Sequence, residues 1–160
     1  MSLLMMACTP SVNAAPAARE IAGLWACSME REHEGSRSLM VGHTYYGTSG
    51  EYEATGLGTV ILEHETDQIR WVATSSGKYE IKADTVEYII GRVTASPLPS
   101  IGFDFMSEEE RIKFASEFVT PINDENVSTT SRIRSLTTTE LIVEEDGATW
   151  TCHRTLETSK

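Results

Sequence analysis

From Gly23 onward the chain is written in short runs that alternate apolar and polar residues, with Gly, Ser, Asn or Asp between them. A period of two puts alternate side chains on opposite faces of an extended strand. The pattern therefore specifies a sheet with one buried face rather than helices. Strands are predicted over 23–34, 39–46, 51–65, 69–74, 78–82, 85–94, 129–136, 141–144 and 148–155. Trp25, Cys27 and Met29 share one face, as do Ile69, Trp71 and Ala73, and Val86, Tyr88 and Ile90. Gly56 and Gly58 suggest a bend or bulge. Ser75-Ser76-Gly77 and Ala83-Asp84 read as turns, and Asp146-Gly147 as a tight hairpin. The pattern breaks once. Ser96-Pro97-Leu98-Pro99-Ser100 reads as a loop, and Ser107-Glu108-Glu109-Glu110 as a capping box that opens a helix over 107–119, with Ile112, Phe114, Ala115 and Phe118 as its apolar stripe and Pro121 ending it. Nine strands, one helix and short connections make an all-β chain, either a closed antiparallel barrel or a sandwich.

Charge is distributed unevenly. Residues 1–18 carry none, whereas the rest holds 13 Lys and Arg against 24 Asp and Glu, a net charge of −11. That balance argues against nucleic acid and anionic lipid as partners, because both are bound through clustered cations. Forty per cent hydrophobic residues are enough for a core, and no apolar run is long enough for a membrane-spanning helix. The first eight residues include seven apolar ones, counting Cys8, followed by small and polar residues. This is the texture of an export leader. Val12-Asn13-Ala14 fits a small-x-small cleavage pattern that would leave Ala15 first; Leu4-Met5-Met6-Ala7-Cys8 is similar to a bacterial lipobox, with Cys8 as the lipidation candidate. An apolar N-terminus on a cytosolic protein is the remaining alternative. The expected organisation is a leader and linker over 1–18 and one domain over 19–160. The expected location is the periplasm or the exterior, either free or held to a membrane through Cys8.

With Cys8 in the leader, Cys27 and Cys152 are left as a pair, and in an exported chain a disulfide is the natural reading; two free buried thiols are the alternative in a reducing compartment. Each follows a Trp by two residues, in Trp25-Ala26-Cys27 and Trp150-Thr151-Cys152. If the two strands run antiparallel with the cysteines opposed, paired positions sum to 27 + 152 = 179. Trp25 then faces Arg154 and Met29 faces Trp150, both favourable cross-strand pairs.

Gly23-Leu24-Trp25 at the start of the first strand, with Arg154 at the end of the last, resembles the signature of lipocalins and the wider calycin superfamily. The stretches Ile133-Arg134-Ser135-Leu136-Thr137, Glu140-Leu141-Ile142-Val143 and Trp150-Thr151-Cys152-His153-Arg154, and the run Ser76-Gly77-Lys78-Tyr79-Glu80-Ile81, are similar to small bacterial lipocalin-like proteins. The resemblance implies a lipocalin-like β-barrel of eight or nine strands in which Arg154 packs over Trp25, and a small apolar ligand held inside. A helix before the last three strands departs from the usual order of that family and leaves the strand order around it open.

The sequence offers no catalytic signature: no Gly-x-Ser-x-Gly, no phosphate-cradling Gly loop, no Ca loop. His33, His43, His64 and His153 lack metal-site spacing, and alternation turns His33 and His64 away from their neighbouring Glu residues. The expectation is therefore a non-enzymatic protein without a metal or cofactor. Tyr45, Tyr46, Tyr52, Tyr79, Tyr88, Phe103 and Phe105 could line an interior cavity, with core packing as the equal alternative, and Tyr45, Trp71, Tyr79, Tyr88, Phe103 and Phe105 are the candidate ligand-binding aromatics. The apolar loop 97–106 would either cover a barrel mouth or pack under the helix. Two function classes follow. One is an exported binding protein for a small apolar molecule. The other binds a protein, such as an inhibitor of a basic enzyme of the lysozyme-inhibitor type, toward which −11 would steer it. A structural envelope lipoprotein is a third possibility.

Overall fold

A computed structural model of the chain describes residues 18–33, 35–62, 66–104, 106–119 and 127–155. The leader expected over 1–18 lies almost wholly outside them, with Cys8, and so do His64, Phe105 and Pro121. A short helix α1 (Ala18–Ile21) precedes the strands β1 (Gly23–His33), β2 (Ser36–Tyr46), β3 (Glu51–Leu62), β4 (Gln68–Lys82) and β5 (Thr85–Ile101). Helix α2 (Glu108–Val119) then leads to β6 (Val127–Leu136), β7 (Glu140–Glu145) and β8 (Ala148–Arg154). Every strand pairs antiparallel with its sequence neighbours, and β1 with β8, closing the barrel in the order β1 to β8. Closure gives every strand a partner on both sides over part of its length. The helix does not disturb the order: β5 and β6 remain paired across it.

There are eight strands, not nine, because Ser75-Ser76-Gly77 is strand. β3 pairs along one side of it and β5 along the other, and the irregularity it encodes is a register shift against β5 between Ser76 and Gly77. The shift leaves Gly91 as an extra residue on β5, with Ile90 and Arg92 both paired. It therefore keeps Val86, Tyr88 and Ile90 on the same face as Val93 and Ala95. Ser, Ser and Gly suit a turn or a bulge alike, and pairing on both sides decided the matter. The expected loop at 96–100 is likewise strand. β6 reaches only Thr85–Ile90, so the far end of β5 has β4 as its single neighbour. There β5 is an edge, the setting in which a strand tolerates prolines such as Pro97 and Pro99.

Gly56 and Gly58 produce no bulge, since β3 keeps register through both. They permit close approach instead. Gly56 faces Gly42 of β2, where a Cβ on Gly42 would strike the Thr55–Gly56 backbone, and the Trp71 indole lies against Gly58. The hairpin at Asp146-Gly147 has φ of 48° and 77°, the left-handed pair that a tight two-residue turn demands. At α2, Ser107 and Glu110 complete the capping box: the Glu110 amide donates to Ser107 Oγ at 3.3 Å, and the Ser107 amide to Glu110 Oε2 at 2.8 Å. The Ser107 amide, the larger cause, and the Ser107 hydroxyl, which donates to the same Oε2 at 2.8 Å, hold the Glu110 carboxyl below its ordinary value.

Candidate functional site

An antiparallel meander places alternate connections at opposite ends of the barrel. The β2–β3, β4–β5 and β6–β7 turns lie at one end with Gly23 and Arg154, here called the base. The other end is the mouth, and its wall is uneven. β7 and β8 have 6 and 7 residues, whereas β4 and β5 have 15 and 17.

The base is closed by Trp25, which is fully buried. Its Nε1 donates to the Ile21 carbonyl at 2.7 Å, so burying the indole leaves no unmet donor. Arg154 lies over the ring with Cζ 4.2 Å from the centroid. Its Nε donates to Thr138 O at 2.8 Å, Nη2 to Glu20 O at 2.7 Å, and Nη1 to Ala22 O. One guanidinium therefore joins the entry of β1, the β6–β7 turn and the end of β8. Gly23, at φ 125°, leaves the space that the guanidinium fills. The β1–β8 register pairs Trp25 with Arg154, Cys27 with Cys152 and Met29 with Trp150, the set that sums to 179. Cys27 and Cys152 form a disulfide across 125 residues, a separation at which a crosslink stabilises by about 5 kcal/mol in the chain-entropy account. The fold is lipocalin-like.

Among solved structures, the chain is similar to a lipocalin-like protein from Bacteroides uniformis ATCC 8492, at 15% identity over 85% of this chain and 99% of that one, with a TM-score of 0.47. It is also similar to an uncharacterized protein from Bacteroides eggerthii DSM 20697, at 12% identity over 84% and 98% of the two chains, with a TM-score of 0.42. No family model matches the chain. No curated protein matches it either.

Above the base the barrel holds a cavity of about 440 Å³. Its apolar lining includes Met40, Ala54, Ile90, Val143, Trp150 and the disulfide. Gly42 and Gly56 also line it, so two wall positions contribute no side chain to fill the space.

The polar part of the lining is concentrated. Tyr46 and Tyr88 share a hydrogen bond of 2.7 Å between their hydroxyls, and Tyr52 OH meets Ser75 Oγ at 2.8 Å. Tyr52 and Tyr88 pack edge to face with centroids 5.2 Å apart. Burial, the largest cause, pushes the Tyr46 phenol above its ordinary value and the Tyr88 phenol well above it. The nearby Glu145 carboxylate adds to the rise at both, and at Tyr52, where burial again leads. These groups therefore face the cavity as neutral O–H. Glu145 ends β7 on the inward face shared with Leu141 and Val143, and it accepts from Thr129 Oγ1 and, at 3.2 Å, from Ser131 Oγ of β6.

Of the six aromatic candidates, the structure puts Tyr88 on the cavity. Tyr45 is 46% exposed, because alternation turns it outward when Tyr46 turns in. Tyr79 is buried at the base, where its OH donates to Gly47 O at 2.7 Å and its ring meets that of Tyr46 edge to face at 5.1 Å. Trp71 packs with Val60 and Ala95 farther up the tall wall. Phe103 packs with Ile69 and Ala115 against Phe114 of α2. The segment around Phe103 is thus packed with the helix, on the inward face of β4. Phe105 lies outside the described residues.

Tyr46 and Tyr52, from the wider set of aromatics that could line a cavity, stand on its wall, and Trp150 and Glu145 are cavity residues outside both sets. Parity was the available signal for Glu145, two residues beyond Val143 on one strand. His33, His43 and His153 are exposed, and among the described residues no three His, Cys, Asp or Glu side chains converge as a metal site would require.

Proposed function

We propose that this protein is an exported, non-enzymatic binding protein that holds a small, largely apolar molecule inside its barrel. The observation that carries this reading is the 440 Å³ cavity in a closed barrel. Protein interiors pack to a density of about 0.75 and leave few voids larger than a water molecule. A space of this size, lined by Met, Ile, Val and Trp, lies within the range of small-molecule sites, about 300–1,000 Å³. Apolar surface placed there gains about 25 cal/mol per Å². Export is supported by the disulfide, a bond that persists in oxidising compartments. It is supported equally by the uncharged residues 1–18, whether cut after Ala14 or lipidated at Cys8.

The test is uptake of Nile red, a neutral apolar dye, by the oxidised protein. Saturable binding with one dye per barrel is expected, together with quenching of Trp150 fluorescence; linear, non-saturable partition would overturn the reading. The net charge of −11 favours a second reading, a binder of a basic protein. Inhibition of lysozyme that weakens as salt rises would favour that partner, and no inhibition at low salt would remove it.

A further inference from the structure

Glu145 is the single carboxylate among the cavity-lining residues, and no Lys or Arg stands among them. Its two hydrogen-bond donors, Thr129 and Ser131, are neutral hydroxyls. None of the ion pairs among the described residues includes Glu145. A carboxylate offers about four lone-pair directions, and these two donors occupy two of them. It is half-buried on the cavity wall, and no Lys or Arg of the lining offsets its charge. Beside it stand aromatic side chains. Tyr46, Tyr52, Tyr88 and Trp150 all line the same cavity, and electron-rich ring faces attract a cation most strongly where water is excluded.

From the Glu145 carboxylate set among the tyrosines and Trp150 of the cavity, we propose that the ligand is a cationic amphiphile: an apolar body carrying a protonated amine, with the ammonium on Glu145 and the body toward Ile90 and Val143. The inference rests on the binding function proposed above and specifies its ligand class. The rise that Glu145 imposes on Tyr46, Tyr52 and Tyr88 fits the placement, since the field that resists phenolate formation there would stabilise a cation. Binding a fatty acid would set a second carboxylate beside the first, with no cation to separate them. An aliphatic alcohol of equal length would gain the apolar burial and a neutral hydrogen bond only.

The test is displacement of Nile red from the oxidised protein by decylamine, 1-decanol and decanoate at pH 7, in the wild-type protein and in Glu145→Gln. In the wild type, decylamine should bind about tenfold tighter than decanol, and decanoate weakest. In Glu145→Gln, which keeps an acceptor for one of the two hydroxyls and offers its amide N–H to the other, the preference for amine over alcohol should fall to about twofold or less. Equal affinity of amine and alcohol in the wild type would overturn the inference and leave the apolar binding function standing. An amine preference that survives Glu145→Gln would also overturn it, locating the preference in the acidic exterior. Failure of Nile red and decanol alike to bind would overturn the binding function itself. If Glu145→Gln fails to fold, the wild-type comparison repeated at high salt takes its place: an amine preference that salt abolishes belongs to the acidic exterior and overturns the inference, and one that persists supports it.

Discussion

The base and the mouth of this barrel are built on opposite principles. At the base a large side chain is buried completely, and its single donor and the guanidinium above it are satisfied by main-chain carbonyls. In the cavity above it, wall positions are glycine and the inward polar groups are side chains bonded to other side chains, and at the mouth the walls differ in height. At the base the indole and guanidinium donors are bonded to the main chain. The cavity presents a carboxylate, hydroxyls and apolar surface. Where the first and last strands meet, the chain spends its side chains on closure; where the middle strands run long, it leaves space.

Three perturbations should separate the two regions. The largest falls on the base. Arg154→Ala removes the donors to three carbonyls and the cation over Trp25. It should lower stability by about 3 kcal/mol, because partly buried acceptors are left unpaired. Urea unfolding measures this, and a loss below about 1 kcal/mol would show that the base does not depend on that one side chain.

The next falls on the cavity wall. Tyr46 and Tyr88 have raised values in the folded protein and the ordinary 10.0 when unfolded. Above pH 10 the unfolded chain loses those protons first, so stability is whole below that pH and falls as pH rises toward the folded values. Going from pH 8 to pH 10.5 should remove about 2 kcal/mol, and Tyr88→Phe should recover about half of it. A urea midpoint that does not move over that interval would mean the phenols are solvated.

The smallest falls on the helix at the tall wall. Ser107→Ala removes half of the capping box and should weaken α2 by about 1 kcal/mol. Hydrogen exchange should show its amides exchanging roughly fivefold faster, with those of β1 and β8 unchanged. If β1 and β8 change as well, the two regions are not independent.

Closure was legible in the sequence to the residue, because a disulfide pairing fixes a register and a register assigns every facing pair. Period-two alternation likewise located most strands, and the capping box located the helix. The turn chemistry was ambiguous. Ser75-Ser76-Gly77 and the prolines at 97 and 99 are residues of turns and loops, and they stay in strands here because their neighbours pair, or because the strand is an edge there. The cavity was the least legible part. Adjacent Tyr45 and Tyr46 must point oppositely, but alternation alone does not say which turns inward. That was decided by pairing Tyr46 with Tyr52, and Gly42 with Gly56, along one inward row. Phe103 was a sound aromatic candidate drawn away by Ile69 and Ala115, a tertiary choice no local pattern contains.

Both ends of the described chain meet beneath the Trp25 indole. The Thr155 amide donates to Leu24 O at 2.9 Å, and Arg154 reaches back to Glu20. A tether joined before residue 18 or after residue 155 would therefore leave from the face opposite the opening. Fixed to a surface by either end, the barrel would stand with its base toward that surface and its mouth away from it.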